Sequence, residues 1–460
     1  MIQAAKILEQ RSHLVSGKLR ITEHFFSVPR DHANPSSGNI TLFARSALKH
    51  DKPLSSTPPD PKKTQLPWLV YLQGGPGFPC GPPQNSPWVQ PLLDRGYQVL
   101  CLDQRGTGLS TAISQSSLQL RGDEKVQAEY MKSFRADSIV KDCEAIRKAL
   151  LASYPPEDQK WSIMGQSFGG FCCTTYLSYH PEGVKEAFLF GGIPPSRNGP
   201  DDVYKKLFAR VKKRNEQYYA KYPEDVERVR RIVKLLGRFG DETVRTQGGE
   251  GFMTARRFLG MGIRFGFHGG FDQVHEHVLR ADTDLTYFGH LTKPTIKAVE
   301  TGESFDTNVI YALLHEPCYC SGEASNWSAE RVRASFPEFD LEATTESSSP
   351  VYFSGEVVYP HYFDCYPELK KLKTVGEMLA QNSDWPKLYD WEQLAKNEVP
   401  VYAAVYYDDM YVDFDLSMET AARIKGFKTF ITNAVYHEGI RTKTEEVLKG
   451  VLALRDDVID

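Results

Sequence analysis

The stretch Trp161-Ser-Ile-Met-Gly-Gln-Ser-Phe-Gly-Gly170 decides the fold, because it joins a short apolar run to a helical one through the pattern Gly-x-Ser-x-Gly. The apolar run predicts a buried strand, and the residues after the motif predict a helix. Small residues are needed here, since a Cβ at Gly165 or Gly169 would crowd a tight strand-to-helix turn. The Ser167 hydroxyl would then stand at the helix N-terminus, where the helix dipole favours developing negative charge. The motif therefore predicts that Ser167 is a nucleophile.

Further apolar runs lie on both sides of this motif and are separated by helical stretches. They span residues 68–72, 97–102, 187–190 and 399–407. Short apolar runs that alternate with helices predict a mostly parallel sheet covered on both faces, which is an α/β fold. Each run ends in a glycine-rich or polar turn, and such sheets hold their ligands at these turns.

The sequence changes character between residues 193 and 397. This region contains a charged, helix-periodic stretch at 201–236 and many aromatic residues, but few signals of parallel strands. Because the strand pattern returns at 399, we predict a core of residues 1–192 and 398–460 that is interrupted by a mainly helical cap, 193–397. An insertion of this length has the size of a domain.

The composition excludes several classes of protein. The 460 residues carry 55 Lys and Arg against 59 Asp and Glu, a net charge of -4, which does not predict nucleic-acid binding. No apolar run is long enough to predict a membrane span, and the first residues do not resemble a secretory signal. Eight cysteines in a chain of this length do not predict a disulfide framework. We therefore expect a cytoplasmic protein, and no residue set predicts a metal site.

A serine nucleophile needs a base and an acid that orients the base. His437 follows the apolar piece 427–431, and it is the only histidine after His361. Asp408 directly follows the apolar run that ends at 407. We predict that His437 is the base and that Asp408 is the acid, with Asp409 as the alternative acid.

The oxyanion of a tetrahedral intermediate needs two backbone N–H donors. One donor is expected from the residue after the nucleophile, which is Phe168, and the other from an earlier loop. The loop Gln73-Gly-Gly-Pro-Gly77 follows a predicted strand, and its glycines permit close approach to a substrate. We predict Gly75 as the second donor.

Three motifs now occur together: Gln73-Gly-Gly-Pro-Gly77, Asp103-Gln-Arg-Gly-Thr-Gly-Leu-Ser110 and Gly165-Gln-Ser-Phe-Gly-Gly170. This set resembles the prolyl aminopeptidase (proline iminopeptidase) family of α/β-hydrolases, although Gln73 stands where that family usually has histidine. The segments 259–262, 270–275 and 314–319 are similar to the cap of its long-chain members. The resemblance implies an α/β-hydrolase core with a helical cap. It also implies a serine aminopeptidase that acts without a cofactor and releases N-terminal residues, preferably proline, from small peptides with a free N-terminus.

Such an enzyme has to recognise a free α-amine, and the resemblance implies an acidic pair in the cap for this purpose. Glu316 and Glu356 are our candidates, because both interrupt apolar surroundings where a substrate ammonium would compensate an otherwise costly carboxylate. Tyr319, together with Trp327 and Tyr359, is a candidate wall for the prolyl ring. The alternatives are that the carboxylates cap helices or pair with arginines, and that the aromatic side chains form the core of the cap.

Two other functions stay open. An esterase or amide hydrolase on the same core would lack acidic groups near Ser167. A non-catalytic binding protein of this fold would not need the complete set of serine, aspartate and histidine. Epoxide-hydrolase chemistry is excluded, because it needs an aspartate at the position of Ser167.

Overall fold

The computed structural model describes residues 2–50, 65–302 and 305–457. Within these ranges nine strands form one sheet. The strands are β1 (Lys6–Val15), β2 (Leu19–Pro29), β3 (Asn39–Lys49), β4 (Trp68–Leu72), β5 (Gln98–Asp103), β6 (Trp161–Gln166), β7 (Val184–Phe190), β8 (Val401–Tyr406) and β9 (Phe427–Thr432).

The α-helices of the described residues vary from one turn to almost six. They are α1 (Val89–Asp94), α2 (Gln115–Gln119), α3 (Glu124–Lys132), α4 (Ala136–Leu150), α5 (Phe168–Tyr179), α6 (Asp201–Lys221), α7 (Asp225–Gly237), α8 (Ala255–Leu259), α9 (Gly270–Phe288), α10 (Lys293–Thr301), α11 (Val309–Leu314), α12 (Ser328–Arg333), α13 (Leu341–Glu346), α14 (Tyr362–Cys365), α15 (Pro367–Lys370), α16 (Lys373–Gln381), α17 (Trp391–Ala395), α18 (Phe414–Ala421), α19 (Gly439–Thr442) and α20 (Thr444–Asp456). Short 3₁₀ segments lie at Pro35–Ser37, Pro83–Asn85, Pro156–Asp158, Pro181–Gly183, Gly260–Gly266, Pro317–Tyr319 and Pro337–Phe339.

The sheet is mostly parallel, as the alternation of apolar runs and helices predicts. Its strand order is β1-β2-β3-β5-β4-β6-β7-β8-β9. The pairs from β5 through β9 are parallel, whereas β1, β2 and β3 are antiparallel to their neighbours. The sequence of β1 shows no alternation of apolar and polar residues that would predict a strand, because most of its side chains are exposed.

Helices cover both faces of the sheet. Helices α4 and α5 pack on one face, where Ile139, Ile146 and Cys172 are buried against the strands. Helices α1 and α20 pack on the other face, where Leu92 and Val447 are buried. A sheet covered on both faces has nearly continuous apolar strands, and every residue of β4, β5 and β6 is buried.

Residues 193–397 contribute helices α6 to α17 and no strand to the sheet within the described ranges. The predicted helical stretch 201–236 forms two helices, which are separated near Pro223 because proline lacks an N–H donor. This region has an aromatic core of its own, in which Tyr218 lies 4.9 Å from Phe265 and 5.6 Å from Phe353 between ring centroids. The boundaries of the cap at 192 and 397 stay a prediction.

Glycines let α5 lie against the carboxyl ends of the strands. A Cβ at Gly169 would overlap the carbonyl of Leu72 in β4, and a Cβ at Gly170 would overlap the carbonyl of Gly192 after β7. The start of α5 is therefore in backbone contact with the turns that follow two strands. This contact fixes the position of Ser167, the residue before the helix.

None of the helices in the part of the chain that the structure describes has both the length and the apolar character needed to cross a membrane.

Substitution of Gly169 by alanine tests the contact between α5 and β4. We expect Gly169→Ala to destabilise the fold by about 1–3 kcal/mol or more, because the new Cβ has only rigid backbone beside it. The matched control is Gly237→Ala in α7, where nothing lies within 4 Å of the new Cβ. The control should be neutral or stabilising by up to ~1 kcal/mol, since alanine favours a helix. Urea unfolding midpoints compare the two, and equal midpoints would contradict the contact.

Candidate active site

Ser167 occupies a strained turn between β6 and α5. Its φ of 56° and ψ of −128° are uncommon for a residue with a side chain. Its N–H donates to the carbonyl of Phe190 at 3.0 Å, and its carbonyl accepts from the N–H of Gly170 at 2.8 Å. These bonds hold the unusual backbone, and the side chain lines a cavity between the sheet and the cap. The turn is the one that the Gly-x-Ser-x-Gly pattern predicts.

His437 lies on the same cavity and pairs with Asp409. The distance from His437 Nδ1 to Asp409 Oδ2 is 2.7 Å. The other carboxylate oxygen of Asp409 accepts from the N–H groups of Tyr411 at 2.8 Å and Val412 at 3.1 Å. Both members of the pair are buried. The backbone therefore fixes the carboxylate, and the carboxylate fixes the orientation of the imidazole.

The prediction of Asp408 as the acid is wrong. Its side chain points away from His437 and lies 3.3 Å from the guanidinium of Arg210, which belongs to α6. Asp408 lies in the turn that follows β8, and the N–H of Asp409 donates to the carbonyl of Tyr406 at 3.2 Å, so the turn gives the two side chains different partners. The structure selects Asp409, which the sequence left as the alternative.

The environment of His437 favours its charged form. Burial disfavours the imidazolium, but the attraction and the hydrogen bond of Asp409 outweigh it, so the pKa of His437 lies above its ordinary value. The carboxylates of Glu356 and Glu438 add to the same effect. An imidazole in this setting can accept a proton from Ser167 and hold it without a second proton transfer to Asp409.

The cavity has a volume of about 310 Å³. The core contributes Ser167, His437 and the loop of Gly74 and Gly75. The cap contributes an apolar wall, formed by Met261, Ile263, Phe267, Phe305, Tyr311 and Tyr366. Ser167 and His437 therefore face a space that residues of the predicted cap border on the other side.

The two predicted oxyanion donors stand beside Ser167. Phe168 is the first residue of α5, where an N–H has no partner within its helix. Gly75 lines the cavity and has a φ of 132°, which glycine adopts at little cost. Neither N–H donates to a protein acceptor within the described residues. That these two N–H groups together bind an oxyanion stays a prediction.

Glu356 is the predicted amine ligand that the structure does bring to the cavity. Its side chain is 15% exposed. One oxygen accepts from the Tyr311 hydroxyl at 2.6 Å, and the other lies 3.7 Å from His315 Nε2. Burial opposes ionisation, but His315 and Tyr311 outweigh it, so the pKa of Glu356 lies below its ordinary value. The cavity thus contains a carboxylate that stays charged at neutral pH.

Glu316 and Tyr319 do not line this cavity, which corrects both predictions. The Glu316 carboxylate accepts from the N–H groups of Ser328 at 3.1 Å and Ala329 at 2.8 Å, so it caps α12. The Tyr319 ring packs against Phe171 in the core, at 5.7 Å between centroids. Helix capping was the alternative that the sequence left open for Glu316.

Three charged residues of the cavity wall were missed by the sequence analysis: Arg264, Glu438 and Arg441. Glu438 accepts from the backbone N–H of His268 at 2.6 Å and lies 2.7 Å from its ring nitrogen Nδ1. The available signal was that Glu438 directly follows His437 and that Arg441 lies four positions after it. Arg264 has no comparable signal, because only the folding of the cap brings it to the cavity.

One group of potential metal ligands occurs within the described residues. It consists of Glu144, His180 and Glu182, outside the cavity. Both oxygens of Glu144 already accept from Arg147, and one also accepts from Tyr176. This carboxylate is therefore engaged in the core of the protein.

Comparison with known proteins identifies similar chains. The family model described as the alpha/beta hydrolase fold matches residues 67–234. The proline iminopeptidase aneH of Aspergillus aculeatus is 44% identical over 462 residues, which cover 100% of this chain and 99% of that protein. The proline iminopeptidase of Aeromonas sobria is 38% identical over 97% of this chain and 99% of its own length. Among solved structures, Rv0554 from Mycobacterium tuberculosis aligns at 14% identity with a TM-score of 0.39, covering 95% of this chain and 100% of that one.

The identity of the acid can be tested through the pKa of His437. We expect Asp409→Asn to lower the pKa of His437, because burial remains after the charge and hydrogen bond of Asp409 are removed. NMR titration of protein labelled at histidine Cε1 measures it, with His437→Gln to assign the signal. Asp408→Asn is the control and should leave the pKa unchanged. A fall with Asp408→Asn alone would reverse the assignment.

Proposed function

The chain belongs to the proline iminopeptidase family of α/β-hydrolases, and from this premise we propose that it is a serine aminopeptidase that releases an N-terminal residue, preferably proline, from small peptides. One observation carries the proposal. Ser167 and His437, which is paired with Asp409, line one cavity together with the charged carboxylate of Glu356. An esterase on the same core has no use for that carboxylate.

In the first half of the reaction, the Ser167 oxygen attacks the carbonyl carbon of the N-terminal residue. His437 accepts the hydroxyl proton, and Asp409 stabilises the resulting imidazolium. The oxyanion accepts hydrogen bonds from the N–H groups of Phe168 and Gly75. When the intermediate collapses, the bond from carbon to the amide nitrogen breaks and His437 gives its proton to the departing amine. The first residue is left as an ester of Ser167.

In the second half, water attacks the ester carbon and His437 accepts a proton from it. The same two N–H groups stabilise the second oxyanion. Collapse of this intermediate breaks the bond from carbon to the Ser167 oxygen, which takes the proton back from His437. The free amino acid leaves and the resting enzyme is restored without a cofactor.

Recognition of the free amine is assigned to Glu356. A substrate ammonium beside this largely buried carboxylate forms a charge-assisted hydrogen bond with it. The partners of Glu356, Tyr311 and His315, hold the carboxylate in place. The aromatic rings of Phe305 and Tyr366 on the cavity wall offer flat apolar surfaces suited to a pyrrolidine ring.

We also propose that the protein works in the cytoplasm. Its eight cysteines are all free and buried, and cytosolic proteins keep their thiols in this reduced state.

The role of Glu356 is tested by comparing substrates with and without a free amine. For the unaltered protein we expect prolyl arylamide to be cleaved at least ~100-fold faster than N-acetylprolyl arylamide. Glu356→Gln should lower kcat/KM for prolyl arylamide by ~30-fold or more, because the ammonium loses its buried countercharge. The same variant should affect 4-nitrophenyl acetate much less, since that ester has no amine.

Glu316→Gln is the matched control. Glu316 is also a buried carboxylate of the cap, but it accepts from backbone N–H groups and does not line the cavity. It should lower thermal stability but leave the ratio of the two activities unchanged. If Glu356→Gln reduced both activities equally, the amine assignment would be incorrect. If Ser167→Ala still cleaved prolyl arylamide, the whole mechanism would be incorrect.

A further inference from the structure

Arg441 is a guanidinium on the cavity wall whose protein partners carry no charge. Its Nη2 donates to Gln73 Oε1 at 3.0 Å and to Gln166 Oε1 at 3.1 Å. Both acceptors are side-chain amides. Arg441 forms no ion pair with any residue of the described ranges. Arg441 is exposed at the edge of the cavity, so its charge is available to pair with an anionic group of a ligand.

The two amides hold the guanidinium in one orientation. Gln73 is itself fixed, because its Oε1 also accepts from the Tyr71 hydroxyl at 2.9 Å. Both bonds use Nη2, and a guanidinium has five N–H donors in a planar fork. The remaining donors are available for a ligand, and a carboxylate is the group whose two oxygens match that fork.

Arg441 contacts residues that adjoin Ser167 and the loop of Gly75, between which the scissile bond would lie. Gln166 precedes Ser167, and Gln73 begins the loop that contains Gly75. Arg441 is thus tied to the two core elements that flank the nucleophile. Glu356, by contrast, is held by Tyr311 and His315 of the cap. A substrate whose amine bound Glu356 and whose first carbonyl lay over Ser167 would have its far end on the core side of the cavity, where Arg441 lies.

The nearby acid does not cancel this charge. Glu438 lines the same cavity, where its Oε1 is engaged with the N–H and the ring of His268 and its Oε2 is buried without a partner among the described residues. It forms no ion pair with Arg441 within those residues. The cavity volume of about 310 Å³ is at the lower end of the range for small-molecule sites. A cavity of that size whose wall carries both carboxylates, Glu356 and Glu438, and guanidiniums, Arg264 and Arg441, suits a short zwitterion.

We propose that Arg441 binds the C-terminal carboxylate of the substrate and makes dipeptides with N-terminal proline the preferred substrates. This inference deepens the proposed function and rests on it. Arg441 determines specificity, and it takes no part in the transfer of protons.

The test compares the dipeptide Pro-Ala with its amide, Pro-Ala-NH₂, which differ only in the carboxylate. For the unaltered protein we expect kcat/KM to be ~10- to 100-fold higher for Pro-Ala, the range for hydrogen bonds to a charged group. Arg441→Gln should bring the ratio of the two values close to one. Arg441→Lys keeps the charge without the fork and should give an intermediate ratio.

Two controls remove a positive charge elsewhere. Lys443→Gln acts on an exposed residue two positions along the chain, outside the cavity. Arg264→Gln acts on the other guanidinium of the wall, which donates to Gln273 Oε1 at 2.8 Å. Both should keep the preference for Pro-Ala. The ratio is independent of the amount of folded enzyme, so partial unfolding of a variant does not disturb it.

The outcomes separate the two proposals. If neither Pro-Ala nor Pro-Ala-NH₂ is cleaved, the proposed function itself fails. If both are cleaved equally well by the unaltered protein, the aminopeptidase stands and the carboxylate site is overturned. The site is also overturned if Arg441→Gln keeps the preference, or if Arg264→Gln alone removes it.

Discussion

The site depends on the backbone contact between α5 and the ends of β4 and β7. Only glycine permits it, because a Cβ at Gly169 or Gly170 would overlap a carbonyl of the neighbouring turn. The contact leaves Ser167 in a turn with a φ of 56°, where its N–H is bound to the carbonyl of Phe190. The packing of the core supports this strained backbone, so Ser167 is held in position before any substrate arrives.

The charged side chains at the cavity differ in what holds them and in what they are available to bind. Asp409 is bound to two backbone N–H groups and directs His437. Glu356 and Arg441 are held by uncharged or weakly basic neighbours, which leaves their charges for a ligand. The net charge of -4 for the whole chain conceals this local order. We infer that a small zwitterionic peptide is bound by both of its ends, with its first carbonyl over Ser167.

The parts of this account that the sequence predicts are those with a local physical cause. The turn at Ser167 follows from the glycines around it, and the parallel sheet follows from buried runs between helices. The choice between Asp408 and Asp409 depends on the turn after β8, which composition does not encode. Glu316 and Glu356 occupy similar apolar surroundings in sequence, and only the folding of α12, which begins 12 residues after Glu316, makes the first a helix cap. The sequence does not predict a site at Arg441, because the residues that orient its guanidinium, Gln73 and Gln166, are far from it in sequence.

The central claim is that Ser167 attacks a carbonyl whose neighbouring amine is free. A diphenyl phosphonate analogue of proline tests it most directly, because serine attack on phosphorus leaves a stable adduct that peptide mass spectrometry can locate. The account predicts one adduct per chain, on Ser167, and a reaction at least ~30-fold slower for the N-acetylated analogue, whose uncharged nitrogen loses its attraction to Glu356. An adduct on another residue, or equal rates for the two analogues, would contradict it.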